Sequence, residues 1–218
     1  RFLSKWVLTI DDERLNALSV DDLQYFETRF FLVPGMGTVY IDAKLSVIRQ
    51  RAVANGFHEV LTILNHAEKP ARLRVRIEAA SDFADLFEVK DALKKKGRYT
   101  SRVERGALRL GYERETYARS TLISSSQRAK VDENGLTFEL KIPAHGEWTT
   151  ELDVIAQMPG YGGPAQPKGG RRQTMEANLD RWLDGAPRIE CDWEPLRRTY
   201  RRSLVDLAAL RFAPPVAG

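Results

Sequence analysis

An antiparallel β-sandwich followed by a short helical tail is the fold class this sequence predicts. Three observations carry the prediction. From Ala71 to Ala80, Leu73, Val75, Ile77 and Ala79 alternate with Arg72, Arg74, Arg76 and Glu78, the period-two pattern of a strand with one face on a core. Reversal signals at Asn55-Gly56 and Asn134-Gly135 separate apolar runs, as hairpin turns do. After Met158 the pattern changes to a Gly/Pro-rich stretch and then to helical spacing.

The strands follow in order. Phe2 to Ile10, Gln24 to Val33 and Thr38 to Asp42 are rich in aromatic and β-branched residues, with Pro34-Gly35 parting the second from the third. A strand around Leu45 to Val53 turns at Asn55-Gly56 into Phe57 to Leu64, where Phe57, Glu59, Leu61 and Ile63 share a face. Pro70 stands at the entrance to the Ala71 strand, where its missing N–H does least harm. Leu136, Phe138, Leu140 and Ile142 alternate with Thr137, Glu139 and Lys141, and a last strand runs from Trp148 to Ile155. No helical crossover separates these runs, so neighbours pair antiparallel.

Residues 1–158 therefore read as one sandwich, 159–170 as a linker, and 171–218 as a helical segment. In that segment, Met175, Leu179, Trp182 and Leu183 form one stripe. Asp192 is positioned to cap a second helix whose Leu196, Tyr200, Leu204, Leu207 and Leu210 recur at three- and four-residue steps. That stripe calls for a partner, and a homodimer through this helix is one expected consequence. The chain opens on Arg1 already in strand-like sequence, which suggests a fragment of something larger.

Composition excludes several function classes. With 43% hydrophobic and 29% charged residues, the 218-residue chain can bury a core. Its net charge of +4 is dispersed, which argues against nucleic-acid partners. The run Lys94-Lys95-Lys96 with Arg98 lacks interleaved aromatics and reads as a solvated loop. One cysteine, Cys191, excludes a disulfide framework and fits a reducing, cytoplasmic compartment. No apolar stretch is long enough to span a bilayer or to serve as a signal peptide, so no membrane partner is expected.

Candidate chemistry is sparse. Asp82, Asp85 and Glu88 form the densest carboxylate group, spaced so that a helical turn would bring them to one face while Phe83 and Phe87 anchor the other. Paired carboxylates serve glycoside hydrolysis, yet nothing nearby specifies a pocket that would raise one pKa, so a structural role is the simpler reading. His58, His66 and His145 lie far apart, and no metal or cofactor is expected. Ser124-Ser125-Ser126 lacks a nucleophile elbow. Gly35-Met36-Gly37 lacks a third glycine and a following helix. Trp6, Trp148, Trp182 and Trp193 could stack on sugars, but large aromatics more often pack cores. No catalytic residue is assigned.

Several stretches resemble the N-terminal domain of bacterial glycogen debranching enzymes of the amylo-α-1,6-glucosidase type. They are Arg1-Phe2-Leu3-Ser4 with Trp6, the Arg49 to Asn65 hairpin with its Arg-Gln-Arg and Leu-Thr-Ile-Leu-Asn-His pieces, and above all Asp82 to Val89. Ser203 to Arg211 looks like the helix that introduces that family's (α/α)6 toroid. The resemblance implies a supersandwich packed beside a catalytic toroid whose carboxylates lie beyond Gly218, with Asp82, Asp85 and Glu88 as candidates for the interface with that catalytic domain or for substrate positioning. Two rivals stand beside it: a stand-alone carbohydrate-binding module that holds α-glucan, and the equivalent domain of a glucoamylase or disaccharide phosphorylase.

Overall fold

The computed structural model describes residues 1–35, 44–54, 56–158 and 170–211. Its first half contains β1 (Lys5–Ile10), β2 (Glu13–Gln24), β3 (Glu27–Pro34), β4 (Leu45–Val53), β5 (Phe57–Asn65) and β6 (Ala71–Ala80). Then come α1 (Leu86–Lys90), β7 (Arg98–Glu104), β8 (Ala107–Arg114), β9 (Tyr117–Ser125), β10 (Lys130–Asp132), β11 (Gly135–Ile142) and β12 (Glu147–Gln157). The helices α2 (Gly170–Asp184) and α3 (Glu194–Ala209) follow. No described helix is long and apolar enough to cross a membrane.

Every strand pairing is antiparallel, in the order β10-β11-β6-β1-β2-β3-β4-β5-β12-β9-β8-β7. The sheet doubles back at β1 and β2, which share only the pairs Thr9↔Arg14 and Ile10↔Glu13 before β2 leaves to pair along β3. Asp11 and Asp12 make that tight turn at φ 51° and 68°, a conformation whose twist matches two-residue hairpins and which Asp tolerates. The far ends of the sheet also meet, where the Ser101 hydroxyl donates to the Glu133 carbonyl at 2.5 Å. The result is a nearly closed sandwich.

Its core follows from alternation. Leu8, Leu73, Val75, Ile77, Leu136 and Phe138 point inward from the β1-β6-β11 layer, and Val47, Leu61, Ile63, Leu108, Ile123 and Leu152 face them from the other. Period-two burial is explicit in β6, where Leu73, Val75, Ile77 and Ala79 are buried and their neighbours are not.

Gly135 is required where it stands. It sits at φ +151° directly against β6, and a Cβ there would lie 1.9 Å from the Ile77 carbonyl oxygen. Gly135→Ala is expected to cost about 2–4 kcal/mol through backbone strain and overpacking, read as a lower urea midpoint at unchanged m-value.

Several expectations need correction. Gln24 to Val33 is not one strand: β2 and β3 form a hairpin around Tyr25-Phe26, with register shifts between Ala17 and Ser19 and between Asp22 and Gln24. Asp192 does not cap α3. Trp193 holds the N-cap position without a side-chain bond, and a proline in the first turn starts the helix. Phe2 to Ser4 precede β1 rather than extend it. The strand expected at Thr38 to Asp42 and the linker residues 159–169 lie outside the described residues.

Candidate functional site

The segment after β6 builds the site. Ser81 donates to the Phe2 carbonyl at 2.5 Å, and Thr121 donates to the same oxygen at 2.6 Å, tying the strand's end to the N-terminus. The Asp82 carboxylate accepts from the Arg1 guanidinium, with Nε at 3.0 Å, and from the Ala84 N–H at 3.2 Å, the local turn that Asp side chains favour. Phe83 then adopts φ 50°, a left-handed conformation that is an outlier for a bulky residue. It is held there by burial between Phe2 and Tyr112, with ring centroids 5.9 and 5.8 Å away.

Asp85 caps α1. Its Oδ1 accepts the Glu88 N–H at 2.9 Å while Glu88 Oε2 accepts the Asp85 N–H at 2.8 Å. Two orphan donors of the first turn are thereby satisfied reciprocally. Lys95 locks the turn onto the sandwich: its Nζ lies 2.7 Å from Glu88 Oε2 and 3.9 Å from Asp85 Oδ2. The same ammonium sits 5.6 and 5.9 Å from the ring centroids of Tyr112 and Tyr117, within cation–π range. Lys95 is thus no solvated loop residue; its side chain is only 13% exposed, because the carboxylate and the rings together replace its water.

The three candidate acids therefore separate. Asp85 and Glu88 share the helix start and Lys95, whereas Asp82 precedes the helix and faces Arg1. Phe83 anchors the segment as expected, but Phe87 does not, being 69% exposed. The Arg1 hydrogen bond holds Asp82 below the usual carboxylate range, and the Glu88 N–H does the same for Asp85. Both directions are opposite to what a general acid at neutral pH requires.

A depressed carboxylate pKa contributes stability that is present above the unfolded value and lost as pH falls through the folded one. For Asp85 that window lies below about pH 4. At pH 3, amide exchange of Val89 and Asp91, corrected for intrinsic rates, should rise relative to pH 6 while β6 and β11 stay protected. Equal protection of α1 at both pH values would show that the cap does not hold the helix.

A second polar cluster was not anticipated from the sequence. Glu59 is fully buried on the inner face, where it accepts from Arg49 Nε at 2.8 Å, Arg49 Nη2 at 3.0 Å, Arg51 Nε at 2.7 Å and Trp6 Nε1 at 3.1 Å. Arg51 also lies 5.0 Å from the Phe30 ring centroid. The signal was available: Arg49 and Arg51 alternate in phase with Val47, and Glu59 interrupts an otherwise apolar face.

The remaining candidates are dispersed. His58 meets Asp153 at 2.9 Å, His66 meets the Ser46 hydroxyl at 2.7 Å, and His145 meets Glu68 at 3.1 Å. Among the described residues no group of three ligating side chains could hold a metal ion. Ser125 donates to the Gln127 carbonyl, and Ser126 accepts from the Glu151 N–H of the neighbouring β12. Trp6 packs on Phe57 and Trp148 on Phe138, Trp182 donates to the Leu204 carbonyl, and Trp193 is exposed.

Among the described surface features are an open groove of about 500 Å³ between the β2–β3 turn and the helices, lined by Gln24, Tyr25, Leu179, Leu183, Arg198 and Arg202. A second depression of about 630 Å³ on the outer face of β6 and its neighbours is crossed by the ion pairs Arg76–Asp132 at 2.6 Å and Arg74–Asp12 at 3.2 Å.

Comparison with known proteins completes the description. No curated protein matches the sequence. Among solved structures, a chain titled "Putative kojibiose phosphorylase from human microbiome" superposes with a TM-score of 0.52 at 12% identity, over 94% of this chain and 28% of that one. A chain titled "Polysaccharide Lyase BACCELL_00875" gives 0.35 at 10% identity, over 80% of this chain and 27% of that one. The first likeness is one of fold, and this chain spans little more than a quarter of that protein's length. Residues 1–153 match the family model described as the N-terminal domain of (some) glycogen debranching enzymes, and the chain belongs to that family.

Proposed function

We propose that this chain is the non-catalytic N-terminal domain of an enzyme acting on α-1,6 branches of glycogen-like α-glucans in the cytoplasm. It is a sandwich of the supersandwich type that supports a helical catalytic toroid and walls one side of its cleft. The observation that carries the reading is the family match over residues 1–153. The local chemistry is in keeping with it, since Asp85 and Glu88 are engaged with backbone and Lys95, and Asp82 with Arg1. On this reading Asp82, Asp85 and Glu88 shape the interface with the catalytic domain rather than act on substrate.

Calorimetric titration of the 218-residue chain with glycogen and with linear maltodextrin separates the scaffold from a stand-alone binding module. A scaffold shows no saturable heat with either glucan. Saturable binding by the chain alone would instead favour the module.

A further inference from the structure

The outer face of β7, β8 and β9 carries a trough of about 440 Å³ that runs across the strands toward the end of β12. Because Leu108, Leu110 and Tyr112 point into the core, Arg109, Gly111 and Glu113 point out. Cross-strand register then sets three rows side by side. Thr100↔Gly111↔Ser120↔Gln157 forms the floor, Arg102↔Arg109 one wall, and Arg98↔Glu113↔Ala118 the other. Gly111 has no side chain, and the Thr100 hydroxyl takes that space, 2.5 Å from where a Cβ would stand. A hydroxyl therefore lies over the middle of the floor.

Donors and acceptors are unequal in this trough. Arg109 uses Nε on Glu104 at 2.7 Å and Nη1 on Ser120 at 3.0 Å and on Gln157. Ser120 in turn donates to Gln157 at 3.2 Å, and Glu113 is paired with Arg98. The side-chain acceptors are thus engaged. The donors are not: among the described residues Thr100 and Arg102 make no side-chain hydrogen bond or ion pair, and Arg109 Nη2 makes none either. Arg102 acts on Glu113 only through its field. Two guanidiniums directly opposite on neighbouring strands repel each other, and no described carboxylate pairs with Arg102 to offset that cost. Arg119, stacked on the Tyr117 ring at 4.1 Å, lines the same depression.

We propose that this trough binds a phosphate group, free or as the monoester of a small molecule, through Arg102, Arg109 Nη2 and the Thr100 hydroxyl. Unused donors beside engaged acceptors call for a ligand rich in acceptors and negative charge. A phosphate monoester presents three terminal oxygens and nearly two charges at neutral pH, and arginine forks match it in bidentate fashion. A carboxylate has two oxygens and a single charge, and would leave part of this donor set unmatched. The ion pair Arg109–Glu104 and the bonds to Ser120 and Gln157 hold one guanidinium in place before any ligand arrives, which lowers the ordering cost of binding. The trough volume lies in the range of small-molecule sites, so the floor toward Gln157 has room for the alcohol part of an ester.

Calorimetric titration of the 218-residue chain in about 0.15 M sodium chloride tests the site, with inorganic phosphate and glucose 1-phosphate as probes and glucose as the uncharged control. Saturable heat is expected with the phosphate probes and none with glucose. Tighter binding of glucose 1-phosphate assigns the trough to a phosphorylated small molecule, and equal binding of the two assigns it to free phosphate. Arg102 is exposed, so Arg102→Gln should keep the thermal midpoint while weakening binding about ten-fold or more. Arg74→Gln, on the outer face of β6, should leave binding unchanged. No saturable heat up to about 10 mM of either phosphate probe, saturable heat with glucose, full binding by Arg102→Gln, or equal weakening by both variants overturns the site.

Discussion

Replacing Glu59 with alanine is expected to destabilise the domain by about 3–5 kcal/mol, because it leaves buried Arg49 without its counter-charge. Glu59 has no solvent exposure and accepts hydrogen bonds from Arg49, Arg51 and Trp6. Burial already lowers the Arg49 pKa against the pull of Glu59. A guanidinium does not shed its proton to escape such a site, so the loss appears as instability. The double variant Arg49→Met with Glu59→Leu removes both charges and should recover most of the loss, since apolar replacement of a buried pair is often neutral or stabilising. Urea unfolding at neutral pH reads both. A single variant within about 1 kcal/mol of the parent would show that water reaches the cluster freely.

Phe138→Ala is expected to cost a similar amount, about 3–5 kcal/mol, by a different route. Phe138 lies on β11 opposite Val75, is 1% exposed, and meets Trp148 of β12 edge-on at a centroid distance of 5.1 Å. It therefore joins the two layers. Phe138→Leu keeps most of the buried volume and should recover a large part of the loss. Thermal unfolding of the three proteins gives the comparison, and an unchanged midpoint for Phe138→Ala would mean that the layers do not close over this ring.

The parts of the fold legible in the sequence are those where one face is buried and the other charged. β6 and β11 are the clear cases, because burial on one side and arginines or lysines on the other leave an unambiguous period. β2 escaped because it is almost wholly exposed and carries two bulges, so its apolar residues fall out of phase. β8 carries the same signal, since Leu108, Leu110 and Tyr112 alternate with Arg109, Gly111 and Glu113, and Arg105-Gly106 joins it to β7 by a two-residue turn with both φ positive.

At the candidate site, the carboxylate spacing pointed to a local helical turn, and α1 begins within that run. What spacing could not reveal is the direction each side chain faces. That direction depends on Lys95, seven residues beyond Glu88, and on Tyr112 and Tyr117 from β8 and β9. Long-range partners of this kind leave no trace in local periodicity. The Glu59 cluster leaves a partial trace, because Glu59 interrupts an apolar face, but its pairing with Arg49, Arg51 and Trp6 joins β5 to β4 and β1 and is not written in any one strand.

Glucose release from a glycogen limit dextrin, measured for the 218-residue chain beside the full-length gene product, tests the assignment most directly. The account predicts release by the full-length protein and none above background from the chain alone, even at a hundred-fold excess. Release by the chain alone at a rate comparable to the full-length protein would contradict it.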